Sequence, residues 1–131
     1  MAERILVVDD EEAIREIVSS MLHNAGYETR QASSGVEALS VITSGESFDL
    51  MLSDLMMPEM DGITLLERVK DARPDMPAIM VTAVHDISVA MAAIRNGAYD
   101  YLLKQFEREQ MWAIVRRALE HRKLRLENQA Y

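Results

Sequence analysis

The period of hydrophobicity alternates along this chain. Short, nearly continuous apolar runs at 5–8, 48–53, 78–81 and 99–103 are separated by stretches whose apolar residues recur every three or four positions. Continuous runs of that length read as strands buried on both faces, and the spaced pattern reads as amphipathic helix. The helical stretches are marked by Ile14, Val18 and Leu22; Val36, Leu39 and Ile42; Ile63, Leu66 and Val69; Ile87, Met91 and Ile94; and Met111, Ile114, Val115 and Leu119. Gly26, Gly45, Pro74 and Asn96-Gly97 punctuate their ends. A fifth strand, 27–32, is shorter of apolar residues and fits a sheet edge. Strand and helix alternating five times predict a (βα)5 doubly wound α/β sandwich on a five-stranded parallel sheet, with right-handed crossovers. At 131 residues the chain suits one domain with a full core.

Parallel strands bring their C-terminal ends to one edge, where open α/β folds place their ligands. Four runs here stop on residues that can do chemistry: Asp9-Asp10, Asp54, Thr82 and Lys104. Asp9 with Glu12 three residues on fits a helix capping box, which accounts for one acid of the pair. Two carboxylates in one cleft stay ionised more easily around a cation, and an all-oxygen donor set suits Mg²⁺. Asp54 precedes the next helix by about eight residues, so it has no capping task. A turn-initiating role is its plain alternative, and a carboxylate there can also attack phosphorus. Mg²⁺ held by Asp10, Asp54 and a carbonyl from the loop at 55–57 would neutralise both the nucleophile and the incoming oxygens. Thr82 alone reads as an ordinary strand residue, and Lys104 alone as a strand-tip lysine. Together they supply a hydroxyl donor and an ammonium for phosphoryl oxygens.

Composition narrows the classes. Cysteine is absent, which excludes a disulfide framework and thiolate metal sites. A net charge of −8 argues against direct nucleic-acid binding by this domain. No apolar stretch reaches membrane-spanning length, and the N-terminus leads straight into a strand, so a cytoplasmic location is expected. The ten Met residues read as adaptable core filler.

The segments ILVVDDE (5–11), LSDLMMPEMDG (52–62), VTA (81–83) and GAYDYLLK (97–104), with their spacings, resemble the response-regulator receiver domain of two-component signalling, of the chemotaxis-regulator kind. The resemblance spans nearly the whole chain. It implies a flavodoxin-like sheet of order 2-1-3-4-5. It further implies transfer of a phosphoryl group from a histidine kinase or phosphotransfer protein to Asp54, as in a phosphorelay, with Mg²⁺ (Mn²⁺ as a substitute) required. Asp10, Asp54 and the Met56 carbonyl would ligate the metal, with Asp9 acting mostly through water. Thr82 and Tyr101 would be the switch pair that alters the face made by the fourth helix, fifth strand and fifth helix. Without the resemblance, Tyr101 reads as an edge aromatic with a wet hydroxyl.

One departure from the family pattern stands out: Lys104 is followed by Gln105, where proline is usual and its bond typically cis. A non-proline cis bond costs about 2.5–4 kcal/mol, so a trans bond, a rerouted loop and a misplaced Lys104 are expected. Met56 and Val84, two residues beyond Asp54 and Thr82, are apolar and cannot orient a water, which implies slow self-dephosphorylation. A phosphatase with an aspartyl intermediate is one alternative, but Met56 stands where a second acid is wanted. A degenerate receiver that only binds proteins is another: the full acid set argues against it, while Gln105 keeps it open. No P-loop or GxGxxG supports nucleotide binding. The chain is therefore not expected to turn over small substrates.

Residues 1–120 read as the receiver and 121–131 as a helical extension leading to an output domain. Trp112, Leu119 and Leu126 repeat at seven, which would fit a short coiled coil, although packing on the sheet explains the first two. Homodimerisation through that helix or through the switch face is expected. Arg116, Arg117, Arg122, Lys123 and Arg125 read as a solvated face.

Overall fold

The computed structural model describes residues 2–83 and 86–129, with side chains as far as Leu126. Its elements run β1 (Arg4–Val8), α1 (Glu12–Asn24), β2 (Glu28–Ala32), α2 (Gly35–Thr43), β3 (Leu50–Asp54), α3 (Gly62–Ala72), β4 (Ala78–Thr82), α4 (Ile87–Arg95), β5 (Asp100–Leu103) and α5 (Arg108–Gln129). The strands form one parallel sheet in the order β2-β1-β3-β4-β5, so the polar β2 lies at an edge as expected.

Successive side chains of a strand point to opposite faces, and both faces here are covered. On one, Leu6, Val8, Met51 and Met80 pack with Ala38 and Ile42 of α2, Leu65, Leu66 and Val69 of α3 and Ala93 of α4. On the other, Ile5, Val7, Leu50, Leu52, Ile79 and Val81 pack with Val18 and Leu22 of α1 and Met111, Ile114, Val115 and Ala118 of α5. Met51, Met76, Met80 and Met111 are core filler, whereas Met56 and Met91 are exposed.

Local chemistry sets several boundaries. The Ser34 hydroxyl caps α2 by accepting from the Glu37 amide at 3.1 Å, and the Asp61 carboxylate caps α3 by accepting from the Thr64 amide at 2.8 Å. Gly62 opens α3 where no side chain fits, since a Cβ there would come within 2.4 Å of the Asp54 carbonyl oxygen. That close approach draws α3 against the end of β3.

Helix α5 departs from expectation in two ways. It begins at Arg108, one turn before its apolar stripe, and the Trp112 indole donates to the Met21 carbonyl of α1 at 2.8 Å. Leu119 is buried on the sheet, so two of the three heptad residues pack inside the domain. Arg122 does not belong to a solvated face: its Nη1 donates to Asp49 Oδ1 at 3.0 Å, while Asp49 Oδ2 accepts from the Arg4 amide at 2.8 Å. Arg116, Arg117, Lys123 and Arg125 are exposed as expected.

Candidate functional site

The register brings the strand ends to one level. Val8 pairs with Ser53, Asp54 with Val81, and Thr82 with Leu103, so Asp9, Asp54, Thr82 and Lys104 sit within about one residue step of each other along the sheet. Asp9 is buried, and its Oδ1 accepts from the Glu11 amide at 2.9 Å. This corrects the capping-box expectation. The residue at the N-cap of α1 is Glu11, with no side-chain cap, because Asp9 spends its carboxylate on the turn two residues ahead. Arg15, one turn into α1, donates from Nη1 to the Asp9 carbonyl at 2.7 Å and from Nε to Gln31 Oε1 at 3.3 Å. The acidic turn is thereby tied to its own helix and to β2.

Asp54 is the last residue of β3 and is 4% exposed, so it is no surface aspartate, although one of its oxygens does serve the turn that follows. Its Oδ1 accepts from the Met56 amide at 3.3 Å. Lys104 Nζ lies 3.1 Å from Asp54 Oδ2, 3.3 Å from Asp9 Oδ2 and 3.4 Å from Glu11 Oε1. The expected misplacement of Lys104 is therefore overturned. No cis peptide bond occurs among the described residues, so the Lys104–Gln105 bond is trans as anticipated, yet the lysine is held from its other side. Its amide donates to the Thr82 carbonyl at 2.8 Å and prolongs the β4–β5 ladder by one residue.

The charges act on one another. Burial raises the Asp9 carboxyl above the usual carboxylate range and Asp54 adds to the rise, against the Glu11 amide and Lys104. Burial would lower the Lys104 ammonium, but the hydrogen bond and charge of Asp54, with help from Asp9, outweigh it and hold the ammonium above its ordinary value. One ammonium thus neutralises part of an acid cluster that would otherwise repel itself.

Asp10 is exposed at the rim, and one oxygen from each of Asp9, Asp10 and Asp54 lies within 4.8 Å of the others. Three hard oxygens at that spacing, open to solvent through Asp10, fit a hard divalent cation. Thr82 is buried at the end of β4. Tyr101 lies on β5 facing outward and is 36% exposed, away from the cluster. The Met56 side chain is exposed beside the site, and Val84 lies outside the described residues. Arg15 carries no signal in the sequence, where an arginine in the first turns of a helix looks like ordinary surface.

A family model for the response regulator receiver domain matches residues 5–116. The chain belongs to this family. Among curated relatives, the receiver is 38% identical over 117 residues to the DNA-binding transcriptional regulator NtrC of Escherichia coli K12, covering 89% of this chain and 25% of that protein. It is 35% identical over 129 residues to the C4-dicarboxylate transport transcriptional regulatory protein DctD of Rhizobium meliloti, covering 98% of this chain and 28% of that one. The chain thus spans about a quarter of the length of the relatives it matches. Among solved structures, NtrX of Brucella abortus superposes with a TM-score of 0.93 at 37% identity, over 99% of this chain and 29% of that one. A CheY-like receiver domain protein from Methanospirillum hungatei does so with 0.90 at 31%, covering 95% and 99%. The receiver fold and its strand order are those that the sequence resemblance implied.

Proposed function

We propose that this receiver accepts a phosphoryl group on Asp54 from the phosphohistidine of a sensor histidine kinase or phosphotransfer protein. The observation that carries the reading is the Lys104 ammonium, set between the buried carboxylates of Asp54 and Asp9 beside the rim acid Asp10. An Asp54 oxygen attacks phosphorus, a P–O bond forms as the P–N bond breaks, and the departing imidazole keeps the electron pair and takes a proton from solvent. Asp9, Asp10, Asp54 and the Met56 carbonyl are the residues that would hold Mg²⁺, or Mn²⁺ in its place. When bound, such an ion supplies charge neutralisation for the entering group.

Lys104 is already positioned to pass from Asp54 to a phosphoryl oxygen while Asp9 and Glu11 keep it in place. Thr82 offers its hydroxyl to another oxygen. A dianionic group at the strand tips then has different contacts in two arrangements of the loop after β4, which biases their populations. Tyr101 reads out the change on the α4–β5–α5 face, where Ile87, Met91 and Ile94 are also exposed.

Residues 1–120 act as the receiver, and 121–131 open the connection to a C-terminal output domain in a longer protein. Homodimerisation uses the α4–β5–α5 face or the continuing helix, where Leu124 and Leu126 are exposed. The domain itself binds no nucleic acid or membrane, works in the cytoplasm, and turns over no small substrate apart from making and losing its own phosphoryl group. No helix among the described residues is long and apolar enough to cross a membrane.

The test is incubation with acetyl phosphate and Mg²⁺, read by intact mass, beside Asp54→Asn. One phosphoryl adduct, absent from the variant, is expected. No adduct would favour a binding-only module, and sustained release of phosphate from small phosphoesters would favour a phosphatase.

A further inference from the structure

The cations of this acidic protein are not evenly spread. Lys70 of α3 and Arg122 and Arg125 of α5 line one cleft of about 330 Å³, whose remaining walls come from His121 and the segments leading into β4 and β5. The cleft is therefore at the foot of the sheet, at the opposite end from Asp54. Its one acid is Asp75, on the exposed rim.

Two of these cations, Lys70 and Arg125, are poorly neutralised. Lys70 is half-buried and donates to the Met76 carbonyl at 2.9 Å, and no carboxylate among the described residues makes ion-pair contact with it or with Arg125. Burial lowers the Lys70 ammonium below its ordinary value and the charge of Arg125 lowers it further, against a smaller pull from Asp75. Arg122 binds Asp49 through Nη1, but its buried Nε–H has no acceptor among the described residues. A half-buried ammonium with a guanidinium beside it calls for an acceptor carrying several oxygens and negative charge. Arginine's planar fork and lysine's point charge both suit tetrahedral oxyanions. The cavity is near the lower end of the size range for small-ligand sites.

We propose that this cleft binds a small oxyanion of the phosphate class. The bound ion would bridge α3 to the part of α5 that continues past the sheet, and so hold the outgoing helix against the domain. The site is independent of the chemistry proposed for Asp54.

The experiment titrates inorganic phosphate, and separately phosphoethanolamine, into the purified chain at constant ionic strength without divalent metal, following ¹⁵N–¹H amide resonances. Saturable shifts at Gly97, Ala98, Tyr99 and His121 are expected with phosphate. Arg125→Glu should raise Kd at least tenfold, and Asp75→Asn should lower it. Both side chains are exposed, so neither variant threatens folding. Saturation by both compounds marks a site for phosphomonoesters, and saturation by phosphate alone a site for the free ion. Shifts no larger than those from matched chloride, shifts gathered around Asp54 and Lys104, or unchanged binding in Arg125→Glu would each overturn the proposal.

Discussion

Replacing Lys104 by methionine tests the electrostatic account of the site directly. The ammonium lies 3.1–3.4 Å from three carboxylates, two of them buried. Without it, Asp9 and Asp54 face each other across at most 4.8 Å with no cation between them. At an effective dielectric constant of 20, two charges at that distance repel by about 3.5 kcal/mol. Part of this is returned, because the variant no longer buries an ammonium, and the net loss expected at neutral pH is about 2–3 kcal/mol. A divalent cation in the same cluster should take over the neutralisation and restore most of the loss by binding the folded state. Urea unfolding followed by far-ultraviolet circular dichroism, in EDTA and in excess Mg²⁺, reads both numbers. The gap between wild type and Lys104→Met should be wide in EDTA and shrink below about 1 kcal/mol in Mg²⁺. An equal gap in both media, or none in EDTA, would refute the idea that lysine and metal serve the same charge.

Three other outcomes follow from the geometry. Because Asp9's carboxyl is raised from its ordinary 3.8, the folded state binds its proton more readily than the unfolded state, and wild-type stability falls as pH rises through the folded value. Asp9→Asn should therefore stabilise the metal-free protein at neutral pH, and this gain should vanish below about pH 3.8, as measured by denaturant melts across pH. Gly62→Ala should cost about 1–3 kcal/mol in thermal unfolding, since the new methyl collides with the backbone of Asp54 and Leu55 and cannot be turned aside. The phosphorylated protein should lose its label slowly, and Met56→Asn, on an exposed side chain beside Asp54, should shorten the half-life severalfold in a phosphate-release assay.

Much of this arrangement was legible in the sequence because strand ends are defined by chemistry that does not depend on neighbours. The runs before Asp9, Asp54 and Thr82 are apolar on both faces, so their burial is legible from the runs themselves, and their parallel alignment from the helices that alternate with them. The strand boundaries shifted by one or two residues, as with β3, which begins at Leu50 and includes Asp54 itself. The placement of Lys104 is not legible in the sequence because it is set by the ladder before it and not by the peptide after it: the bond from its amide to Thr82 is a cross-strand contact. Arg15 and Arg122 were illegible for a similar reason. Each looks like a surface arginine on its helix, and only the fold brings Asp9's carbonyl or Asp49's carboxylate within reach. The capping box that Asp9 and Glu12 fit in the sequence is not formed, because a capping box and a tight acidic turn share the same letters.

The indole of Trp112, the sole tryptophan, is fastened to the Met21 carbonyl across the gap between α5 and α1. Its emission therefore gauges the seating of those two helices on each other and does not sense the acid cluster directly. A spectral change on phosphorylation would mean that an event at the strand tips had travelled into the packing beneath α5. A silent indole, alongside a changed α4–β5 surface, would show that the domain divides into a moving half and a half that serves as its fixed frame.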